Sequence, residues 1–450
     1  MSRLFGTDGV RGIANSQLTP KLCFNLGKAG AHVLARGGSN RPVFLIGMDT
    51  RVSGELLENA ITAGILAVGG NVIKVGVMPT PAIAYLVKHL KADAGVVISA
   101  SHNTFEYNGI KFFNEEGFKL DDSIENAIED IIVRNIEVST DLTGTDIGRC
   151  IDGEANTSEL YKEFLLSTVD YSLSGKKIVL DCANGAAYSI APQVYRALGA
   201  EVILIGGEPD GENINNNCGS THTEQLQDRV VKEGAFMGMA FDGDADRLIA
   251  VDELGRIIDG DKVICICAEN LKKEGLLKEN KVTTTVMSNI GFHKFMKDIG
   301  CEVRTTKVGD RYVLEDMLKT GSVIGGEQSG HIIFLNHTTT GDGILSSLQL
   351  LKAVLNSGKL PSQLSDSIEI FPQVLKNAVV KEENKNAFEE DEDIKRAVCE
   401  AERTLGEEGR ILIRASGTEP LVRVMIEGKD LEKINEMANG LARLATEKLG

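Results

Sequence analysis

The sequence lacks tryptophan and has nine prolines among 450 residues, against 48 glycines. That balance implies many tight backbone turns without low-complexity sequence. Apolar runs are short, and none approaches the ~18 residues that a membrane-spanning helix requires. The eight cysteines are scattered and include no Cys-x-x-Cys pair, the spacing that would point to zinc or redox chemistry. Cys265 and Cys267 stand two apart in an apolar run, a strand-like spacing, and are expected to be reduced core residues. Basic residues are the scarcer charge: 48 Lys and Arg against 65 Asp and Glu, a formal charge of −17. Wide-footprint nucleic-acid binding and adhesion to anionic lipid both need a basic face, so both are disfavoured. Met1 to Phe5 run into Gly-Thr-Asp-Gly without an apolar leader core, so a soluble cytoplasmic protein is expected.

What is present is ordinary for a globular chain, 42% hydrophobic and 25% charged residues, and the length predicts about three domains, or four small ones. Val43–Gly47, Asn71–Val75 and Gly95–Ser99 read as strands, separated by helices over Glu55–Ala67 and up to His89, with Thr80-Pro81 as N-cap and first turn. The pattern restarts with strands at Lys177–Asp181 and Glu201–Ile205, and again at Val282–Met287 and Glu302–Thr306. Such alternation predicts a repeated, mostly parallel α/β domain. The last ~85 residues read differently, with strands at Ser367–Phe371, Arg410–Arg414 and Val422–Ile426 between helices Glu392–Thr404 and Leu431–Lys448, a small α+β domain. Between Glu382 and Asp393 lie seven acids and one lysine, read as a solvated loop and helix start. Boundaries are placed near 150, 255 and 366.

Four motifs carry chemistry. Ser99-Ala100-Ser101-His102-Asn103 ends a buried strand, where ligands collect in open α/β sheets; Ser101 is either a turn residue or a nucleophile, with His102 and Lys111 near it in sequence. Asp242, Asp244 and Asp246 alternate through Asp-Gly-Asp-Ala-Asp-Arg, and like charges this close call for a hard cation, provided the chain curls at Gly243 and Ala245. An EF-hand is excluded because position six is Arg247 and the flanks read as strands; a phosphatase-like Asp nucleophile remains open. Gly-Gly-Glu327-Gln328-Ser329-Gly-His331 offers an acceptor and a donor to a sugar in a flexible loop. Arg414-Ala-Ser416-Gly417-Thr418-Glu419-Pro, followed by Arg423 in a strand pattern, suits a phosphate. Arg11 in a glycine-dense loop and Gly309-Asp310-Arg311 after Lys307 add basic positions.

The order of Gly-Thr-Asp-Gly-Val-Arg-Gly, Ser-Ala-Ser-His-Asn, Asp-Gly-Asp-Ala-Asp-Arg, Gly-Glu-Gln-Ser-Gly-His and Arg-Ala-Ser-Gly-Thr-Glu-Pro resembles the α-D-phosphohexomutase superfamily over essentially the whole chain. Phe5 ahead of the first motif, Gln328 and Gly417 point within it to the members that interconvert glucosamine 6-phosphate and glucosamine 1-phosphate, a supply step for UDP-N-acetylglucosamine. The resemblance implies three related mixed-sheet α/β domains plus a smaller α+β C-terminal domain around a central active-site cleft. By residue these are 1–150 with a phosphoserine loop, 151–255 with a metal loop, 256–366 with a sugar loop and 367–450 with a phosphate loop. It further implies that Ser101 is carried as phosphoserine, and that Mg²⁺ is held by Asp242, Asp244, Asp246 and an oxygen of the Ser101 phosphate. Glu327 and Ser329 would hold the sugar, and Arg414, Ser416, Gly417, Thr418 and Arg423 the distal phosphate. Arg11, His102, Lys111 and Arg247 would position and transfer, with glucosamine or glucose 1,6-bisphosphate as activator and a homodimer as assembly. Thr104 departs from the proline usual after Ser-His-Asn, which bears on loop rigidity more than on chemistry. The rivals are a mutase for glucose or mannose phosphates, a phosphatase using Asp242, and a non-catalytic sugar-phosphate sensor.

Overall fold

The computed structural model describes residues 3–6, 8–35, 41–151, 156–416 and 419–450. The chain divides into two compact units, one of Met1–Thr285 with Arg304–Asp366 and one of Val286–Val303 with Ser367–Gly450.

In the first unit, β1 (Val10–Ile13), β2 (Val43–Met48), β3 (Asn71–Val77), β4 (Ala94–Ile98) and β5 (Tyr107–Asn114) form a sheet in the order β1-β5-β4-β2-β3. Strand β4 is buried along its whole length, as expected of a continuous apolar run covered on both faces. Helices Pro20–Leu34 and Gly54–Ala67 cross in contact, because a Cβ at Gly27 would strike the Ile61 carbonyl and one at Gly64 the Phe24 carbonyl. A second sheet holds β6 (Lys177–Asp181), β7 (Glu201–Ile205), β8 (Met237–Phe241), β9 (Leu248–Val251) and β10 (Ile257–Ile258), in the order β10-β9-β8-β6-β7. A third holds β11 (Lys281–Thr285), β12 (Glu302–Thr306), β13 (Ile324–Gly326) and β14 (Ile332–Phe334), in the order β12-β11-β13-β14.

All three sheets are mixed, and they share one device. A strand that runs parallel to its inner neighbour turns back in an antiparallel pair, β4/β5, β8/β9 and β13/β14. The three turns carry the serine, aspartate and Gly-Glu-Gln-Ser-Gly-His motifs respectively. The repeat expected from the alternation is therefore present.

The second unit has β15 (Gln373–Val379), β16 (Gly409–Ala415) and β17 (Leu421–Gly428), antiparallel in the order β15-β17-β16. Helices Glu392–Leu405 and Leu431–Leu449 cover it, burying Val422, Val424, Ile426, Ile434 and Ala438 together. Helix Ile290–Asp298 belongs to this unit because Glu427, fully buried, accepts from the Ile290 N–H at 2.9 Å and from Arg410 Nε at 2.6 Å.

Two expected strands are corrected. Ser367–Phe371 is not a strand: the Asn289 side chain takes both backbone groups of Phe371, Nδ2 donating to its carbonyl at 2.9 Å and Oδ1 accepting from its N–H at 3.0 Å. Pro372 then has no N–H to offer, and pairing starts at Gln373. Cys265 and Cys267 lie in helix Gly260–Lys273, buried with every residue from Val263 to Ala268. A helical stretch buried on every face, as Val263 to Ala268 are, loses the 3.6-residue polar rhythm and reads like a strand. No helix among the described residues is long and apolar enough to cross a membrane.

Candidate active site

Beyond β4 the chain passes through Ser99 and Ala100 into Ser101, which adopts a left-handed φ of 54°. For a residue with a Cβ that conformation costs about 1–3 kcal/mol unless the surroundings enforce it. They do. The Ser101 N–H donates to Ser99 Oγ at 3.0 Å, and its carbonyl accepts from Arg51 Nη2 at 3.0 Å and from Asn215 Nδ2 at 2.9 Å. Arg51 is buried, donates through Nε to Asp49 at 2.8 Å, and also bonds the carbonyls of Asn103, Thr104 and Tyr107. The loop is thus shaped by one guanidinium, and Thr104 is restrained through its carbonyl. The Ser101 hydroxyl donates to Asp242 Oδ2 at 2.6 Å. A lysine at 51 keeps the charge but loses the planar fork. Arg51→Lys is therefore expected to lower kcat ~10²-fold through misplacement of Ser101, with KM little changed, in steady-state kinetics.

The aspartates sit in the β8–β9 turn. The curl that three carboxylates require is supplied by Ala245, at φ 58°, while Gly243 leaves room for the Ser101 carbonyl and the Asn215 amide, which a Cβ there would approach to 2.6 and 2.8 Å. Asp242, Asp244 and Asp246 are buried and each offers an oxygen within 4.8 Å of the others. Asp244 Oδ2 accepts from Lys111 Nζ at 2.8 Å and from Thr80 Oγ1 at 2.6 Å. Asp244 Oδ1 and Asp246 Oδ1 are buried with no hydrogen-bond partner among the described residues. Burial, reinforced by the charges of Asp246 and Asp244, pushes the Asp242 carboxyl well above its ordinary range. Orphaned anionic oxygens converging on one point fit a hard divalent cation such as Mg²⁺.

Around the trio runs a closed circuit of side chains. Lys111 reaches Asp8 at 3.0 Å, Asp8 reaches Lys119 at 2.6 Å, and Lys119 reaches Asp310 at 2.5 Å. His331 lies between Asp310 at 3.4 Å and Asp246 at 3.6 Å. Lys111 returns to Asp244 and, at 3.7 Å, to Asp246. Burial works against the Lys111 ammonium, but Asp244, Asp8 and Asp246 outweigh it and raise its pKa, so it stays a cation.

The other expected residues fall as follows. His102 Nδ1 is 3.4 Å from Ser101 Oγ, and burial, with Arg247 and Arg11 nearby, lowers its pKa to about 4, leaving the imidazole neutral at neutral pH. Arg247 Nε stands 4.0 Å from Asp242 and 3.9 Å from Asp246, and Arg11 pairs with Asp8. Glu327 Oε1 accepts from the Gly309 N–H at 3.0 Å, and Ser329 is exposed. The Gln328 amide donates to Asp259 at 3.2 Å, so its side chain fastens the β13–β14 turn to the start of helix Gly260–Lys273.

In the second unit, Arg414 and Arg423 are direct cross-strand partners on β16 and β17. Like charges so placed repel, and burial followed by Arg423 lowers the Arg414 pKa. Arg423 Nε is buried without a hydrogen-bond partner among the described residues, and the buried Ser416 donates its N–H to the Leu421 carbonyl at 2.8 Å. An anion would join the two guanidiniums. Gly417 and Thr418 lie outside the described residues.

Sequence reasoning missed Arg51, Asn215, Lys119 and the role of Thr80. Thr80 is no N-cap: Pro79 takes that position, helix Thr80–His89 begins at the threonine, and its hydroxyl goes to Asp244. Its position before proline is a helix-start signal in any protein, and the partner lies 164 residues away.

A serine held in strain against a cation-ready carboxylate trio, at the end of one of three repeated α/β sheets, has the parts of a phosphoryl-transfer enzyme. Family models for phosphoglucomutase/phosphomannomutase match along the chain: α/β/α domain I at residues 2–139, domain II at 159–255, domain III at 259–371 and the C-terminal domain at 375–444. The chain belongs to this family. It is 58% identical over 449 residues, covering 100% of both chains, to phosphoglucosamine mutase of Thermoanaerobacter sp. (strain X514). Its fold matches a phosphoglucomutase/phosphomannomutase family protein of Burkholderia thailandensis with a TM-score of 0.82, at 23% identity over 100% of this chain and 99% of that one. It also matches Aspergillus fumigatus N-acetylphosphoglucosamine mutase in complex with GlcNAc-6P and magnesium, with a TM-score of 0.71 at 16% identity over 99% and 96% of the two chains.

Proposed function

We propose that this enzyme interconverts glucosamine 6-phosphate and glucosamine 1-phosphate through a phosphorylated Ser101 and a 1,6-bisphosphate intermediate. The observation that carries the mechanism is Ser101 Oγ at 2.6 Å from Asp242, in a left-handed loop that Arg51, Asn215 and Ser99 hold in place. A phosphatase using Asp242 would not need it. The choice of sugar rests on the relatives' activity.

In the forward direction the phosphoryl on Ser101 passes to O1 of the sugar: the Ser Oγ–P bond breaks, the O1–P bond forms, and the O1 proton leaves to a base. The intermediate turns end for end, the 6-phosphoryl returns to Ser101, and glucosamine 1-phosphate departs. Mg²⁺ held by Asp242, Asp244, Asp246 and an oxygen of the Ser101 phosphate would, when bound, offset charge on the transferring group. Arg247, beside Asp242 and Asp246, adds a second positive charge there. Arg11, Lys111 and His102 serve positioning and proton transfer; His102 is the one kept neutral by its surroundings. Glu327 and Ser329 hold the sugar hydroxyls and amine, while Arg414, Ser416, Gly417, Thr418 and Arg423 hold whichever phosphate is not reacting. A glucosamine or glucose 1,6-bisphosphate would recharge Ser101 after loss of its phosphoryl. On this reading the four segments 1–150, 151–255, 256–366 and 367–450 carry the serine, metal, sugar and phosphate loops.

The test is kcat/KM with glucosamine, glucose and mannose 6-phosphates side by side. Glucosamine is expected to lead by at least ~10-fold, the scale of one or two polar contacts. A preference for mannose would overturn the sugar assignment and leave the phosphoryl chemistry standing, whereas net release of inorganic phosphate would favour the phosphatase.

A further inference from the structure

Asp244 differs from its two partners in how it is held. Its Oδ2 takes two donors, Thr80 Oγ1 at 2.6 Å and Lys111 Nζ at 2.8 Å, while Oδ1 is buried and unpartnered among the described residues. The same threonine holds the residue a second time: the Thr80 N–H donates to the Asp244 backbone carbonyl at 2.9 Å. Thr80 is fully buried. It is the first residue of helix Thr80–His89, between Pro79 and Pro81, and the helix makes no side-chain cap with its own first turn. Pro81 has no N–H, so the N–H groups free at this helix start are fewer than usual and the threonine hydroxyl is not drawn to them.

We propose that Thr80 is a positioning residue of the cation site, fixing both main chain and carboxylate of Asp244 so that Oδ1 faces the metal. The inference rests on the reading of the aspartate trio as a cation site. The two donors hold Oδ2 in place and leave Oδ1 turned away from them. Lys111 alone is a point charge shared with Asp8 and Asp246, and it sets no direction for the carboxylate plane. The neutral Thr80 hydroxyl, rooted in a helix start, sets that direction. Partners of this kind behind a metal ligand typically contribute 10–100-fold in metal affinity.

The experiment is Mn²⁺ titration of the purified full chain, followed by electron paramagnetic resonance, for parent, Thr80→Val, Thr80→Ser and Thr80→Ala, with the metal-free Tm of each. Valine matches threonine in shape and lacks the hydroxyl, and the Mn²⁺ Kd is expected to rise ~10–100-fold. Serine keeps the hydroxyl and should stay within ~3-fold of the parent. If Thr80→Val does not fold, Thr80→Ala supplies the same comparison. A Kd for Thr80→Val within twofold of the parent overturns the proposal. So does an equal loss in Thr80→Ser, since packing would then be the cause. Failure of the parent itself to bind Mn²⁺ would instead strike the cation-site reading.

Discussion

Ser101→Ala is expected to lower mutase kcat by at least ~10³-fold, the scale seen when a nucleophile of a concerted catalytic unit is deleted. The loss should be confined to chemistry. The loop is shaped by contacts to the Ser101 carbonyl and N–H, from Arg51, Asn215 and Ser99, which alanine retains. The deleted Oγ gives up its hydrogen bonds to Asp242 and His102. Sugar-phosphate affinity should therefore hold within a few-fold, read by calorimetry. Intact-protein mass spectrometry of the parent under turnover should show a phosphoryl adduct on the Ser101 peptide, absent from the variant. Full activity in Ser101→Ala would sink the mechanism.

Asp242→Asn should cost ~10²–10³-fold in kcat at saturating Mg²⁺, because several kcal/mol of charge stabilisation at ~1.4 kcal/mol per decade amounts to that factor. The substitution acts twice. It replaces one carboxylate of the proposed cation trio with a neutral amide, and it can turn a donor toward Ser101 Oγ where the carboxylate only accepts. Chelation of the parent should reproduce the first effect and be reversed by added Mg²⁺; in the variant, excess Mg²⁺ should restore little. A variant as active as the parent in the presence of chelator would remove the metal from the mechanism.

How much of this was legible in the sequence follows from how local each signal is. The three aspartates lie within five residues, so their repulsion and the need for a curl were readable directly, and Ala245 in a left-handed conformation is that curl. The strand-then-polar pattern ending at Ser99 placed Ser101 at a strand end. The contacts that hold it there were hidden: Arg51 sits in Asp-Thr-Arg and Asn215 in an Asn-rich loop, and neither segment differs from an ordinary turn until folding brings it under Ser101. Gln328, legible only as a marker of the resemblance, bonds Asp259, a contact that nothing in its local sequence announces. Periodicity failed for helix Gly260–Lys273 because burial on every face from Val263 to Ala268 erases it, and for Ser367–Phe371 because a side chain 82 positions away claims the backbone.

The circuit that joins Asp244, Lys111, Asp8, Lys119, Asp310, His331 and Asp246 also has a consequence for synthesis. Its members span positions 8 to 331, so it closes through long loops and forms late in folding. A nascent chain that has emerged only through the aspartate turn holds the three buried acids with Lys111 and Arg247, but without His331 beside Asp246 or Asp310 beside Lys119. During elongation, domains fold from the N-terminus as they appear. The first sheet can therefore settle early, while the circuit around the aspartates closes only after the third sheet has left the ribosome.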